Sequence, residues 1–201
     1  IFIPASGDGP LPPCAGSFSA ITDMTGPGIR TLYQDVAIPA AASATLRWID
    51  MIHNHAGSFA DPAQEFRVEV RSPADDSLLA TVYSTNPGDP ALQPCTARCA
   101  DISAFAGQTV RIAFAEEDNF NYFNVHLDNV CITLNDSCPT GACCLVGPNC
   151  VQNQTASACA AQGGIYQGDG STVCTNCPAI VCGPGQGDCC VAHANLGCQD
   201  V

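Results

Sequence analysis

The stretch TVRIAFAEEDNFNYFNVHLDNVCITL, residues 109–134, decides the fold. In it Val110, Ile112 and Phe114 alternate with Arg111 and Ala113. A period of two sends successive side chains to opposite faces of a strand, so this segment reads as a strand with one apolar face. Val125 and Leu127 resume the pattern, and residues 130–134 continue it. Between the two strands lie Glu116, Glu117, Asp118, Asn119, Asn121 and Asn124, with Asp128 and Asn129 following. Residues 116–119 are therefore expected to form an acidic link. Calcium takes about six to eight oxygens, from carboxylates and carbonyls. So many hard oxygen ligands beside two core strands point to a structural calcium held by Glu116, Glu117, Asp118 and Asp128.

Outward from this hairpin, further strands are expected over residues 14–21, 30–38, 44–53, 65–72, 78–84 and 97–102. Phe66, Val68 and Val70 face one way while Arg67, Glu69 and Arg71 face the other. Leu46, Trp48 and Ile52 form a broken inward row. Turn signals separate these segments, among them Gly26-Pro27-Gly28 and Asn86-Pro87-Gly88-Asp89-Pro90. No window of twelve residues has a helical period. About eight short strands over residues 14–136 read as an all-β sandwich or jelly roll. Ahead of it, residues 1–13 carry prolines at 4, 10, 12 and 13, which forbid a helix. The apolar Ile1, Phe2 and Ile3 are either a frayed end or a strand that docks on a neighbouring subunit's open sheet edge. Ile1 opens the sequence with neither an initiator Met nor an apolar signal core, which reads as a processed mature form.

Composition narrows the partners. The chain has 201 residues, a hydrophobic fraction of 46% and a charged fraction of only 12%. There is no lysine; six arginines face 19 acids, for a net charge of −13. That balance excludes nucleic acid and anionic membranes, which need a basic face. No run approaches the ~20 apolar residues that span a bilayer. Fifteen cysteines indicate disulfides and a secreted, extracellular or cell-surface protein rather than zinc clusters.

The segments TLYQDVAIPA, EFRVEVRSP, STNPGDP and DISAFAGQTVRIAFAEEDNFNYFNVHLDNV resemble jelly-roll modules of secreted bacterial proteins, related to galactose-binding-like and carbohydrate-binding sandwiches. The resemblance covers about residues 15–134. Many such modules hold a structural calcium through an Asp of the last strand and oxygens near the module's start. The resemblance thus implies Asp128, and adds Asp23 as a ligand. Among the cysteines of this half, Cys95 and Cys99 are close enough in sequence to close a small loop. Cys14 and Cys131 would then join the first and last strands, which are usually neighbours in a jelly roll.

From residue 137 the composition changes. Residues 138–201 hold eleven cysteines and no arginine or lysine, the mark of a small disulfide scaffold. Gly141-Ala-Cys143-Cys144-Leu recurs as Gly187-Asp-Cys189-Cys190-Val. The region resembles small cysteine-rich repeats found in tandem in secreted bacterial surface proteins. Cys143, Cys144, Cys150, Cys159 and Cys174 are expected in disulfides. An odd total leaves one cysteine free or bonded to another chain. Asn135-Asp-Ser137 and Asn153-Gln-Thr155 are glycosylation sequons.

No GxSxG, HExxH or catalytic Cys–His signature occurs, and no enzymatic activity is expected. The expected function is a non-catalytic extracellular structural protein, a calcium-stabilised subunit of a surface or filamentous assembly whose main partners are other copies of itself. The alternative is a carbohydrate-binding or adhesion module with glycans as partners, suggested by the fold resemblance and by aromatics such as Phe120 and Tyr122.

Overall fold

The computed structural model describes residues 13–24, 26–41, 43–145, 149–175, 177, 180–182, 189–193 and 197–200. Two compact units divide the chain, Ile1–Ser137 and Cys138–Val201. In the first, β1 (Ala20–Met24), β8 (Phe123–Leu134), β3 (Ala44–Asn54) and β6 (Leu92–Asp101) form one antiparallel sheet in that order. The second sheet runs β2 (Gly28–Ala37), β7 (Thr109–Asp118), β4 (Gln64–Arg71), β5 (Leu78–Ser84). The chain crosses between the sheets at every connection except the β4–β5 hairpin. That interleaving is a jelly roll.

The apolar rows expected from alternation meet between the sheets. Leu46, Trp48 and Ile52 of β3 and Phe123, Val125 and Leu127 of β8 face Phe66, Val68 and Val70 of β4 and Val110, Ile112 and Phe114 of β7. The Trp48 ring meets Tyr83 and Phe114 edge-on, with centroids 5.9 and 6.0 Å apart. Such pairs add about 0.5–1.5 kcal/mol each beyond area burial.

A bulge in β8 sets the geometry of its second half. Ile49 pairs with Asp128 and Arg47 with Cys131, so two residues of β8 oppose the single Trp48. Asn129 absorbs the extra residue with φ 49°. The inward phase shifts by one across it: Leu127 faces the core before the bulge, and Ile132 packs against the core after it. β1 pairs only with residues 123–127 of β8. Beyond the bulge, no described strand covers that edge.

Two strands differ from the sequence expectation. β1 starts at Ala20 rather than near residue 14, and β6 starts at Leu92 rather than 97. Pro94 hides the start of β6; it is tolerated there because β6 is an edge strand. Placing Cys95 and Cys99 in one strand also corrects their expected pairing. Four residues of extended chain span about 13 Å, whereas a disulfide joins Cα atoms about 4.4–6.8 Å apart. Cys14 instead bonds Cys95, with Cα atoms 5.6 Å apart. Cys131, expected opposite Cys14, is free and exposed. The Ala15 N–H donates to Asp128 Oδ2 at 2.7 Å, which anchors the strap ahead of the bulge, and Cys131 lies three residues further on.

In the second unit, β9 (Gly141–Leu145) lies between β10 (Asn149–Gln154) and β11 (Ile165–Asp169), with helix α1 (Ala156–Ala161) between β10 and β11 in the chain. A further sheet has β13 (Cys189–His193) between β12 (Ile180–Cys182) and β14 (Gly197–Asp200). The two Cys-Cys motifs of the sequence repeat thus both lie on central strands. Cys143–Cys159, Cys144–Cys177 and Cys150–Cys174 crosslink the first of these sheets and its flanks. Gly164 must lack a side chain, since a Cβ would stand 2.5 Å from Cys143 Sγ.

Replacing Cys14 and Cys95 together by serine removes a crosslink that spans 81 residues. The expected loss is about 2–4 kcal/mol, read as a lower urea midpoint at unchanged slope. Alkylation of the native, unreduced protein is expected to label Cys131.

Candidate functional site

The sequence placed residues 116–118 in a link; the structure places them in β7 itself. The alternation that buries Val110, Ile112 and Phe114 therefore continues, and Glu116 and Asp118 enter the sandwich interior. Both are 0% exposed. The reason lies in pairing. β2 and β4 both run alongside β7 as far as Asp118, which sits between Gly28 and Gln64 in register. Glu116 sits between Arg30 and Phe66.

The surroundings of Asp118 offer it no donor among the described residues. Gly28 has no side chain. Gln64 is buried, but its Nε2 donates to Asn54 Oδ1 at 3.0 Å and to Asn121 O at 3.2 Å. Its Oε1 accepts the N–H groups of Asn119 and Phe120, both at 3.1 Å. Gln64 thus holds the 119–122 loop and has nothing left for its neighbour. Gly26, at φ 50°, passes so close that a Cβ on it would lie 3.1 Å from Asp118 Cγ. Both carboxylate oxygens of Asp118 are buried without a described hydrogen-bond partner.

Asp50 shows how the same fold treats a carboxylate that is simply structural. It too is 0% exposed. Arg98 Nε and a terminal Arg98 nitrogen clasp it at 3.0 and 3.1 Å, and Trp48 Nε1 donates to it at 2.8 Å. Arg98 in turn donates to Gln93 at 2.6 Å and lies over the Tyr83 ring at 4.6 Å. Leaving a buried ion uncompensated costs several kcal/mol. Asp50 is compensated by Trp48, two residues away on its own strand, and by Arg98 of β6, which sequence spacing does not bring to it.

The five expected calcium ligands do not converge. Glu117 points to the opposite face of β7 from Glu116 and Asp118, where the Arg67 guanidinium approaches it at 3.4 Å. Asp128 lies on the other sheet, bonded to the N–H groups of Ala15 and Asn129, both at 2.7 Å. Asp23 pairs with Asn124 in register, so its strand position shares the outer face of that sheet; its side chain lies outside the described ones. Glu116 and Asp118 share the inner face of β7, while the positions of Asp23 and Asp128 fall on the outer face of the other sheet, four residues of β8 apart in register. The set is split by strand alternation and by the separation of the two sheets.

A second feature had no signature in the sequence. Between β2 and the part of β8 beyond the bulge, the sandwich opens as an apolar groove of about 430 Å³. Leu32, Val36, Phe114, Leu127, Val130 and Ile132 are among the residues that line it. Leu32 is 49% and Val130 45% exposed, and Cys131 contributes to the lining. No described strand pairs with the outer edge of β2 either. Large apolar side chains beside two unpaired edges are the features of a strand-accepting surface. Residues 1–3 lie outside the described residues.

Near the other candidate surface, Phe120 is 65% and Tyr122 48% exposed on the β7–β8 loop. His55 stacks on His53 with centroids 3.7 Å apart and meets Tyr122 edge-on at 6.1 Å. Asn135 and Asn153 of the two sequons are both exposed. The sulfurs of Cys144, Cys174 and Cys177 cluster within 4.8 Å, but they belong to two neighbouring disulfides. No protein-family model matches the chain, and no curated protein matches it.

Burial pushes the Asp50 carboxyl above its ordinary value of 3.8, and Arg98 opposes that shift. A raised folded pKa means the native state binds the proton more tightly. The contribution of Asp50 is then fully present below its unfolded pKa and is lost as pH rises through the folded pKa. Urea unfolding of wild type and Asp50→Asn across the acid range should show the wild-type-minus-variant stability falling as pH rises above about 4.

Proposed function

We propose that this chain is a non-catalytic structural module of an extracellular assembly, whose jelly roll accepts an extended strand from a second copy. The observation that carries the reading is the apolar groove between β2 and β8, open along two unpaired strand edges. The proposed occupant is residues 1–5 of a neighbouring copy, IFIPA. Its three large apolar residues match the chemistry of the lining. Residues 1–12 extended reach about 40 Å from the described chain, which is anchored by the Cys14–Cys95 disulfide. That is far enough to leave one sandwich and enter another. Strand addition satisfies edge N–H and C=O groups while side chains fill the groove.

The disulfides belong to an oxidising compartment, and among the described residues no helix is long and apolar enough to cross a membrane. The disulfides support an extracellular site of action. Five of the six arginines are engaged within the chain rather than presented to a polyanion. Arg47, Arg67, Arg71, Arg98 and Arg111 each pair with a carboxylate of this chain.

Deleting residues 1–5 should leave a folded module that no longer forms polymers by negative-stain microscopy and light scattering. Leu32→Glu should have the same effect from the acceptor side. In wild-type assemblies Cys131, at the groove, should become slow to alkylate. Polymers that persist in both variants would refute this mode of assembly. The exposed Phe120 and Tyr122 favour a second reading, a carbohydrate-binding surface, which a glycan array tests through loss of signal in Tyr122→Ala.

A further inference from the structure

We infer that the interior end of β7 binds a hard divalent cation, calcium by its ligand chemistry, through Asp118 and Glu116 beneath the Gly26–Gly28 turn. This goes beyond the assembly reading and does not depend on it. It also differs from the site implied by the sequence resemblance, which rests on Asp128 and Asp23.

Three observations converge. First, Asp118 is wholly buried, and neither carboxylate oxygen has a described hydrogen-bond partner. Asp50, equally buried in the same core, is clasped by Arg98 and Trp48. Second, the flanking positions are used up or empty. Gln64 spends its amide on Asn54 and the 119–122 loop, and Gly28 has no side chain. Third, Glu116 is equally buried and lies two residues away on the same face. Their Cα atoms are about 6.8 Å apart along the strand. A longer and a shorter carboxylate at that spacing reach a common point, with calcium–oxygen distances of about 2.3–2.6 Å.

The Gly26 contact fits this arrangement. The chain approaches Asp118 there with bare backbone, since a Cβ at Gly26 would meet the carboxylate group. The backbone carbonyls of this turn are the candidates for further ligands, since calcium accepts carbonyls as readily as carboxylates. The nearest cation in register is Arg30, opposite Glu116. It is exposed, and its guanidinium donates to the Ile29 carbonyl at 3.3 Å. The other five arginines are engaged elsewhere on the sandwich.

The test uses the full chain, dialysed against EDTA and titrated with calcium chloride by calorimetry and thermal melting. Wild type should bind one calcium and melt several degrees higher when saturated. Asp118→Asn should melt above wild type in EDTA, because it removes the buried charge, and should lose the calcium response. Glu116→Gln, folded by circular dichroism, should bind calcium at least about tenfold more weakly. Asp128→Asn should respond like wild type. The inference is overturned if wild type neither binds calcium nor shifts its melting point. It is equally overturned if Glu116→Gln binds unchanged, or if the response is lost in Asp128→Asn. Should Asp118→Asn fail to fold, the wild-type titration and Glu116→Gln decide between the same two conclusions.

Discussion

The constraint on which this molecule depends is the strict alternation of β7, held by pairing along its whole length on one side and from Arg111 to Asp118 on the other. Every residue from Gly28 to Ala37 opposes one residue of β7, and β4 pairs along the same strand from Arg111 to Asp118. With both edges bonded, β7 cannot rotate or slip by one residue without exchanging its two faces. Val110, Ile112 and Phe114 commit one face to the core, and Glu116 and Asp118 must follow them. The same ladder that builds the apolar centre thus carries two carboxylates into the interior.

β8 meets the opposite outcome. It begins with the same alternation, but Asn129 takes up an extra residue and shifts the phase. The shift lets Ile132 remain inward while Asp128 and Cys131 face outward beside Ile49 and Arg47. Asp128 then serves as the anchor for the Ala15 N–H, which with the Cys14–Cys95 bond ties the segment before β1 across its own sheet. β1 stops pairing at the bulge, and the groove opens there. The bulge is therefore the origin of both the strap and the seam.

Charge is distributed around a shortage of cations. The outer face of the second sheet carries a ladder in which Arg67 meets Glu65, Glu69 and Glu117, and Arg71 meets Glu69 and Asp76. Arg111 joins Asp35 and Asp76 and lies over the Tyr33 ring at 4.2 Å. Glu65 and Glu69 are buried, at 3% exposure each, so Arg67 and Arg71 are what compensates their charge. These pairings leave few positive side chains for Asp118, whose carboxylate has no described hydrogen-bond partner.

Six strands of the sandwich were legible in the sequence to within a few residues, and β1 and β6 only in part, because alternation and turn chemistry are local properties of residues such as Phe66, Val68 and Val70 or Gly26-Pro27-Gly28. So were the disulfide scaffold and the repeat that places both Cys-Cys motifs on central strands. The placement of the buried acids was only half legible. Glu116 and Asp118 were singled out as acids, but an acid at the end of an apolar row looks like a link until its neighbours' pairing is known. The disulfide of Cys14 was misjudged for a related reason: Pro94 concealed that Cys95 and Cys99 share a strand. The sequence alone determined which residues alternate, which turn, and that the chain belongs in an oxidising compartment. Only the tertiary structure decided how far β7 extends, where β8 changes phase and which edges stay open. These depend on the register between strands distant in the chain, and no local pattern encodes it.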